Sequence, residues 1–586
     1  MTRRRARWRG AGALVLSLGL VATTGCRDDG VEATGSDDDD GSGSGGAAET
    51  EAEPGQDGSG STGGQATDGS DDDPGDDTGE PEPQVVPPPG GVRRLLAHQY
   101  IGSIDYLLGP EAAAAAIAPD DPSLGTFDAL GTLTSVPSVP DLELYEASAR
   151  AVAEVAVASP WRLINRVPCL GTGPFDETCY RELAIDFGRL AWRRPLTEAQ
   201  VDRLVAVAEG AQQWSGGEFM PGVQSMLTAV LQSPYFVYLV ELGEPGDGPY
   251  RELTGLELAT RMSFFLTGRT PSDEVLALAQ LGELDDDESV RELAWQLLQE
   301  PSARDTVWRF FRELLMIDGL PGAAKDAELF PTFSPQLAAS MAEETRLLVD
   351  DVVFTSNESI LRLFDSSRTY VDDDLAALYG MGPVGGGWQQ VPMPAGRAGV
   401  LSQAGWLSMT SHNTVNSPTR RGLYVMEQLL CAEVPLPPPR VNPEPIIPEE
   451  GQTLRESLQQ HVQDPACSGC HLVTDPIGFG FEHMNPIGAW QHLDNGQPVD
   501  ASGSLPGVGA FYGANGLAAM LVQAPELPRC LVDKLYAGSL GTVPDAGMVS
   551  ALDAAGEAYA AADYDFKQLM VELTVSPVFR LVDEPK

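Results

Sequence analysis

Basic side chains are scarce in this chain of 586 residues: 37 Lys and Arg stand against 85 Asp and Glu, a formal net charge of −48. A surface of that sign repels phosphate, which argues against nucleic acid and anionic lipid as partners. Alternating two-residue apolar patterns are few and short, which argues against a mainly β body. No phosphate-cradling loop follows a recognisable strand, and the run "GSGSG" lies among acidic residues rather than at a nucleophile elbow. The apolar run from Ala11 to Ala22 is too short to span a bilayer. Histidine and cysteine are also sparse, at 6 and 7 residues, so where they cluster is informative.

The N-terminus has the layout of an export signal: Arg3, Arg4, Arg5, Arg7 and Arg9, the apolar run, then "TTGC" ending at Cys26. A Cys directly after Gly25 resembles a bacterial lipobox, with Thr23 where Leu is usual, and implies a lipidated Cys26. The expected location is outside the cytoplasm, at the cell envelope (periplasm, outer membrane or cell surface), with a lipid anchor as the only membrane attachment. From Arg27 to Gly90 the chain holds 19 Asp and Glu against one Arg. With so little to bury, that segment reads as a disordered acidic tether. The body beyond it has 66 acidic and 31 basic side chains, a formal charge of −35. A basic redox partner or a small substrate is the less opposed ligand.

The body reads as mainly α and multidomain. "LELYEASARAVAEVAVA" from Leu142, "RELAIDFGRLAW" from Arg181, "GLELATRMSFFL" from Gly255, "SVRELAWQLLQE" and "DTVWRFFRELLMI" place apolar residues at three- and four-residue spacings. Thr254 is placed to cap the Gly255 helix, and Thr197-Glu198-Ala199-Gln200 to start another. "AVLQSPYF" and "ELTVSPVF" each bring a helix to Ser-Pro with Phe two residues on, where Pro stops the helix and Phe folds back onto its apolar face. The Pro-rich stretch from Glu433 to Glu450 predicts an extended spacer. The acidic runs Asp350-Asp351 and Asp372-Asp373-Asp374 lack a calcium-loop pattern and read as solvated.

The densest chemistry is Cys467-Ser468-Gly469-Cys470-His471. Two thiols at this spacing can add across two vinyl groups while the adjoining imidazole sits under the iron, the geometry of haem c attachment. Zinc is the rival, because His461, His471, His483 and His492 lie close in sequence and two of them with Cys467 and Cys470 make a tetrahedral set. A redox disulfide is the third reading, although no βαβ pattern surrounds the motif. On the haem reading His471 is the proximal ligand; Met484 or His461 is the distal candidate, with His483, His492 and His412 as further imidazoles. Asp475-Pro476 is expected to turn the chain, and Phe479 and Phe481 either face the macrocycle or pack in a core. If Cys26 takes lipid and Cys467 with Cys470 take one cofactor, four cysteines remain, an even number that suggests two disulfides in an oxidising compartment. Cys169 with Cys179 is the natural local pair, which leaves Cys431 with Cys530.

Several segments together resemble the planctomycete-type cytochrome c domain family of exported multidomain proteins, with its PSCyt-like and PSD-like domains. In "CSGCHLVTDPIGFGFEHMNPIGAW" the matching positions are Cys467, Cys470, His471, Asp475, Pro476, Gly478, Phe479 and Glu482. "GVLSQAGWLSMTSHNTVNSPTRRGLYVMEQLL" is similar to the leading half of the same domain. "RRLLAHQYIGSIDYLLG", "FGRLAWRRPLT", "LTGLELATRMSFFLTGRTPSDEVLALA" and "DYDFKQLMVELTVSPVFR" resemble its companion helical units. Met484 stands where the family has an aromatic residue, Asn485 where it has Asp, Gln491 where it has Arg, and Gln99 where it has Glu. The resemblance implies an exported c-type cytochrome with one haem c, fused to helical domains of unknown role.

The expected organisation is a signal peptide at 1–26, the linker at 27–90, and helical domains at 91–160, 170–245 and 250–382. A cytochrome c-like domain at 395–500 and a C-terminal helical domain at 505–586 complete it. The expected function is electron transfer with an unidentified redox partner protein, rather than stand-alone catalysis. The alternative class is a cell-surface binding or scaffold protein with a structural Cys/His zinc site.

Overall fold

The computed structural model describes residues 85–584 apart from 122–124, 133–135, 247, 436–444 and 464. The signal segment, Cys26 and the acidic tether up to residue 84 lie outside the described residues, as does the middle of the Pro-rich spacer. The described chain is mainly α: its strands form only small sheets of two or three. No helix among the described residues is long and apolar enough to cross a membrane.

The periodic segments form helices Val139–Ala158, Glu177–Ala191, Gly255–Thr267, Asp287–Leu298 and Pro301–Leu314. Thr254 caps the Gly255 helix reciprocally: its hydroxyl accepts from Glu257 N at 3.3 Å, and the Glu257 carboxylate accepts from Thr254 N at 2.9 Å. Thr197 and Gln200 repeat the device at the start of Glu198–Trp214. At the two Ser-Pro sites the helices Met220–Leu231 and Phe566–Val575 end as expected, and Phe236 and Phe579 are buried. The proline also opens a new turn in each case, Pro234–Val237 and Pro577–Arg580, because its fixed φ suits a first helical position. Each turn then runs into a short strand, Tyr238–Glu241 against Gly91–Arg94 and Leu581–Val582 against Arg251–Glu252.

Two cores result. One gathers Leu95 to Leu276, centred on the helices Ala97–Leu108, Val139–Ala158, Glu177–Ala191, Glu198–Trp214 and Met220–Leu231. The larger one runs from Phe127 through Val582 and packs the central helices against the segments on either side of the cysteine motif. Disulfides join Cys169 to Cys179 and Cys431 to Cys530, and neither Cys467 nor Cys470 takes part in them. The acidic runs are not simply solvated as expected: Asp351 is buried and binds Arg368 at 2.6 Å, and Asp372 caps Asp373–Leu378 by accepting from Leu375 N.

Glu344 is fully buried on the helix Pro335–Asp350, where it accepts from the Thr369 hydroxyl at 2.6 Å and the Tyr379 hydroxyl at 2.8 Å. Burial pushes its carboxyl up to about 7, against the weaker opposing effect of these hydrogen bonds and of Arg397. The folded chain therefore keeps a proton that the unfolded chain releases once pH passes the ordinary glutamate value. This contribution is full below that value and is lost as pH rises to about 7. Glu344→Gln should flatten the fall, so that its stability changes less between pH 5 and pH 8 than the parent's. Urea midpoints at pH 5 and pH 8 check this.

Candidate functional site

Cys467, Cys470, His471 and Asp475 lie on one helix, Pro465–Gly478. Positions 467, 471 and 475 are four apart, so they share a face. The helix runs through Asp475-Pro476 instead of turning there. The hydrogen bond that Pro476 cannot donate would have gone to the carbonyl of Leu472, a residue 62% exposed, where water can replace it. The chain changes direction only after Gly478, in the short turn Phe479–Phe481.

Glycines seat this helix on its neighbours. A Cβ at Gly422, on the helix Pro418–Tyr424, would overlap the backbone carbonyl of Thr474, and one at Gly478 would overlap that of Pro418. A Cβ at Gly503, on the strand Ser502–Leu505, would overlap the carbonyl of Pro476. Backbone thus meets backbone on two sides of the motif helix.

The close approach brings Thr419 to His471 and Asp475. The Thr419 hydroxyl donates to Asp475 Oδ1 at 2.7 Å, and Asp475 Oδ2 lies 2.9 Å from His471 Nδ1. A carboxylate accepts only, so Nδ1 carries the proton and the imidazole lone pair is on Nε2. Cys467 and Cys470 are half-buried. Burial pushes the Cys470 thiol up, against a weak contact to the Thr474 hydroxyl at 3.9 Å.

Beside the motif a solvent-open cleft of about 480 Å³ is lined by His471, Leu472, Pro476, Phe479, Val462 and Arg455, with the hairpin Ser502–Leu505 and Gly509–Tyr512 closing one side. Both phenylalanines are buried but in different places: Phe479 packs with Leu454 and Leu458 at the wall of the cleft, under the Arg455 guanidinium 3.9 Å from its ring centroid, while Phe481 lies in the large core 5.0 Å from Trp406. Met484 is fully buried in the large core and is not among the residues lining the cleft. His483 stacks on Trp490 at 4.7 Å and His492 meets the same ring edge-on. The backbone carbonyl of His412 accepts from Lys325. The side chain of His461 lies outside the described residues, and no group of three or more metal-ligating side chains occurs among the described ones.

Behind the motif lies a buried ion pair that sequence reasoning missed. Arg421, fully buried, sits 3.6 Å from Glu482 and donates to Ser411 Oγ, Asn416 Oδ1 and the Phe481 carbonyl. Asn416 in turn donates to Glu482 Oε1 and the Met484 carbonyl. Burial raises the Glu482 carboxyl to about 7 despite Arg421, and lowers the guanidinium to about 10. The pair has no distinct signal in sequence: Asn416 and Arg421 stand in the polar run Asn416-Ser417-Pro418-Thr419-Arg420-Arg421, where nothing sets Arg421 apart from Arg420.

Three family models match the chain in succession. Residues 179–241 match PSD5, a protein of unknown function (DUF1595); residues 253–381 match PSD4, a protein of unknown function (DUF1592); and residues 397–494, which contain the motif helix, match PSCyt3, a protein of unknown function (DUF1588). These are planctomycete cytochrome-type domain families, the ones that the sequence motifs resemble. No curated protein and no solved structure matches the chain.

Proposed function

We propose that this protein is an exported c-type cytochrome that serves electron transfer at the cell envelope, lipid-anchored through Cys26. One haem c is held by thioether links from Cys467 and Cys470, with His471 Nε2 as the proximal ligand. The observation that carries this reading is the placing of Cys467, Cys470 and His471 on one helix, with His471 lining an open cleft and its Nδ1 2.9 Å from Asp475 Oδ2, a contact that favours the tautomer with the lone pair on Nε2. The cleft suits the group: Leu472, Phe479, Pro476 and Val462 offer apolar walls, and Arg455 gives a cation at the edge for a propionate. When bound, haem supplies one-electron exchange at its iron. The chain's own part is to fix the attachment points, orient the imidazole and cover one face of the ring.

The acidic body favours a basic redox partner. The zinc scaffold draws less support, because His483 is committed to Trp490, Tyr512 and the Gln491 carbonyl. The full chain matured with a haem-ligation system should keep a reduced-minus-oxidised c-type band after acid–acetone extraction, with added haem mass on the peptide containing Cys467 and Cys470. Colourless protein with stoichiometric zinc would establish the scaffold reading instead.

A further inference from the structure

Asp475 is placed to do more than hold a ring. It is 2% exposed, and both its oxygens are engaged: Oδ2 with His471 Nδ1, and Oδ1 with the hydroxyls of Thr419 at 2.7 Å and Thr474 at 3.4 Å. Among the described residues no Lys or Arg comes within ion-pair reach of it; its one charge-capable partner is His471. Two consequences share a sign. A carboxylate accepting the Nδ1 proton makes Nε2 a stronger donor. A buried negative charge with no Lys or Arg in contact also favours the more positive oxidation state of a metal bound to that ring, although Arg455 lines the same cleft.

We infer that Asp475 is a positioning residue which, through His471, stabilises ferric over ferrous iron and so gives this protein a low-potential haem. The inference rests on the haem reading above. It makes the protein an electron donor to higher-potential acceptors. Thr419 moderates the effect in two ways: its hydroxyl takes up part of the charge on Asp475, and its oxygen, 3.3 Å from His471 Nδ1, competes with Asp475 for the ring proton.

The test is the midpoint potential of the full-length holoprotein, with covalent haem measured alongside by acid–acetone extraction. Asp475→Asn keeps an acceptor oxygen and removes the charge; its midpoint should rise by at least about 59 mV, the one-electron equivalent of a tenfold change in equilibrium constant. Thr419→Val removes the competing donor, so its midpoint should fall. A merely structural role would not move the two in opposite directions. An unchanged midpoint in Asp475→Asn with haem attached overturns the inference. If that variant does not mature, a Thr419→Val midpoint that fails to fall does the same. In the unloaded full chain, ring ¹⁵N spectra should show His471 as the Nδ1–H tautomer, and an Nε2–H tautomer would overturn the inference without reference to haem. Wild-type protein that takes no covalent haem would instead remove the haem reading itself.

Discussion

Replacing Cys467 and Cys470 together by serine should abolish covalent haem, leaving no pigment after acid–acetone extraction and no added mass on the peptide. Each thioether forms by adding S–H across a vinyl group, and a serine hydroxyl is too weak a nucleophile to take its place. The single variants should keep one link and hence part of the pigment. The substitution is informative because it leaves both structural disulfides intact. Serine is close to cysteine in size, both positions are half-buried, and the structural bridges are Cys169–Cys179 and Cys431–Cys530. The unfolding midpoint of the unloaded double variant should therefore stay near that of unloaded parent, which separates loss of attachment from loss of fold. Covalent pigment surviving in the double variant would end the proposal.

How much of this was legible from the chain depends on the range of the interaction. The helices Gly255–Thr267 and Glu198–Trp214 were readable with their caps, because periodicity and the Thr-x-x-Glu or Thr-x-x-Gln box act within a few residues. The helix through Pro476 was misread as a turn, since whether proline ends a helix depends on whether water can reach the carbonyl it leaves without a donor. The partners of the motif were not readable at all. Thr419 reaches Asp475, and Arg421 reaches Glu482, across more than fifty residues of chain and only because two helices touch. Met484 shows the converse. Its chemistry made it a ligand candidate, whereas its place is set by the apolar core around Ile477 and Phe481, which composition near the motif does not reveal. Gly422 is unremarkable in sequence, and Gly478 stands out only as a motif position, for the same reason: each matters through what lies opposite.

Gly422→Ala should therefore be among the most damaging substitutions near the site, destabilising the chain by at least about 3 kcal/mol, the upper end of overpacking effects. The added methyl would overlap the backbone carbonyl of Thr474, which has no rotamer to move out of the way. The helices Pro418–Tyr424 and Pro465–Gly478 would have to separate. Thr419, three residues from Gly422, would then lose its 2.7 Å bond to Asp475, next to Thr474 in the chain, and His471 would lose the support that orients it. Haem content should fall along with stability even though every residue of the motif is intact. Gly469→Ala is the control: this glycine lies inside the motif, yet an added Cβ there meets nothing within 4 Å, and alanine favours the helix. It should keep full haem and equal or slightly higher stability. Thermal unfolding and acid–acetone haem content of the two variants, measured side by side, decide the matter. Equal behaviour of the two would mean that backbone contact between the helices does not hold the site.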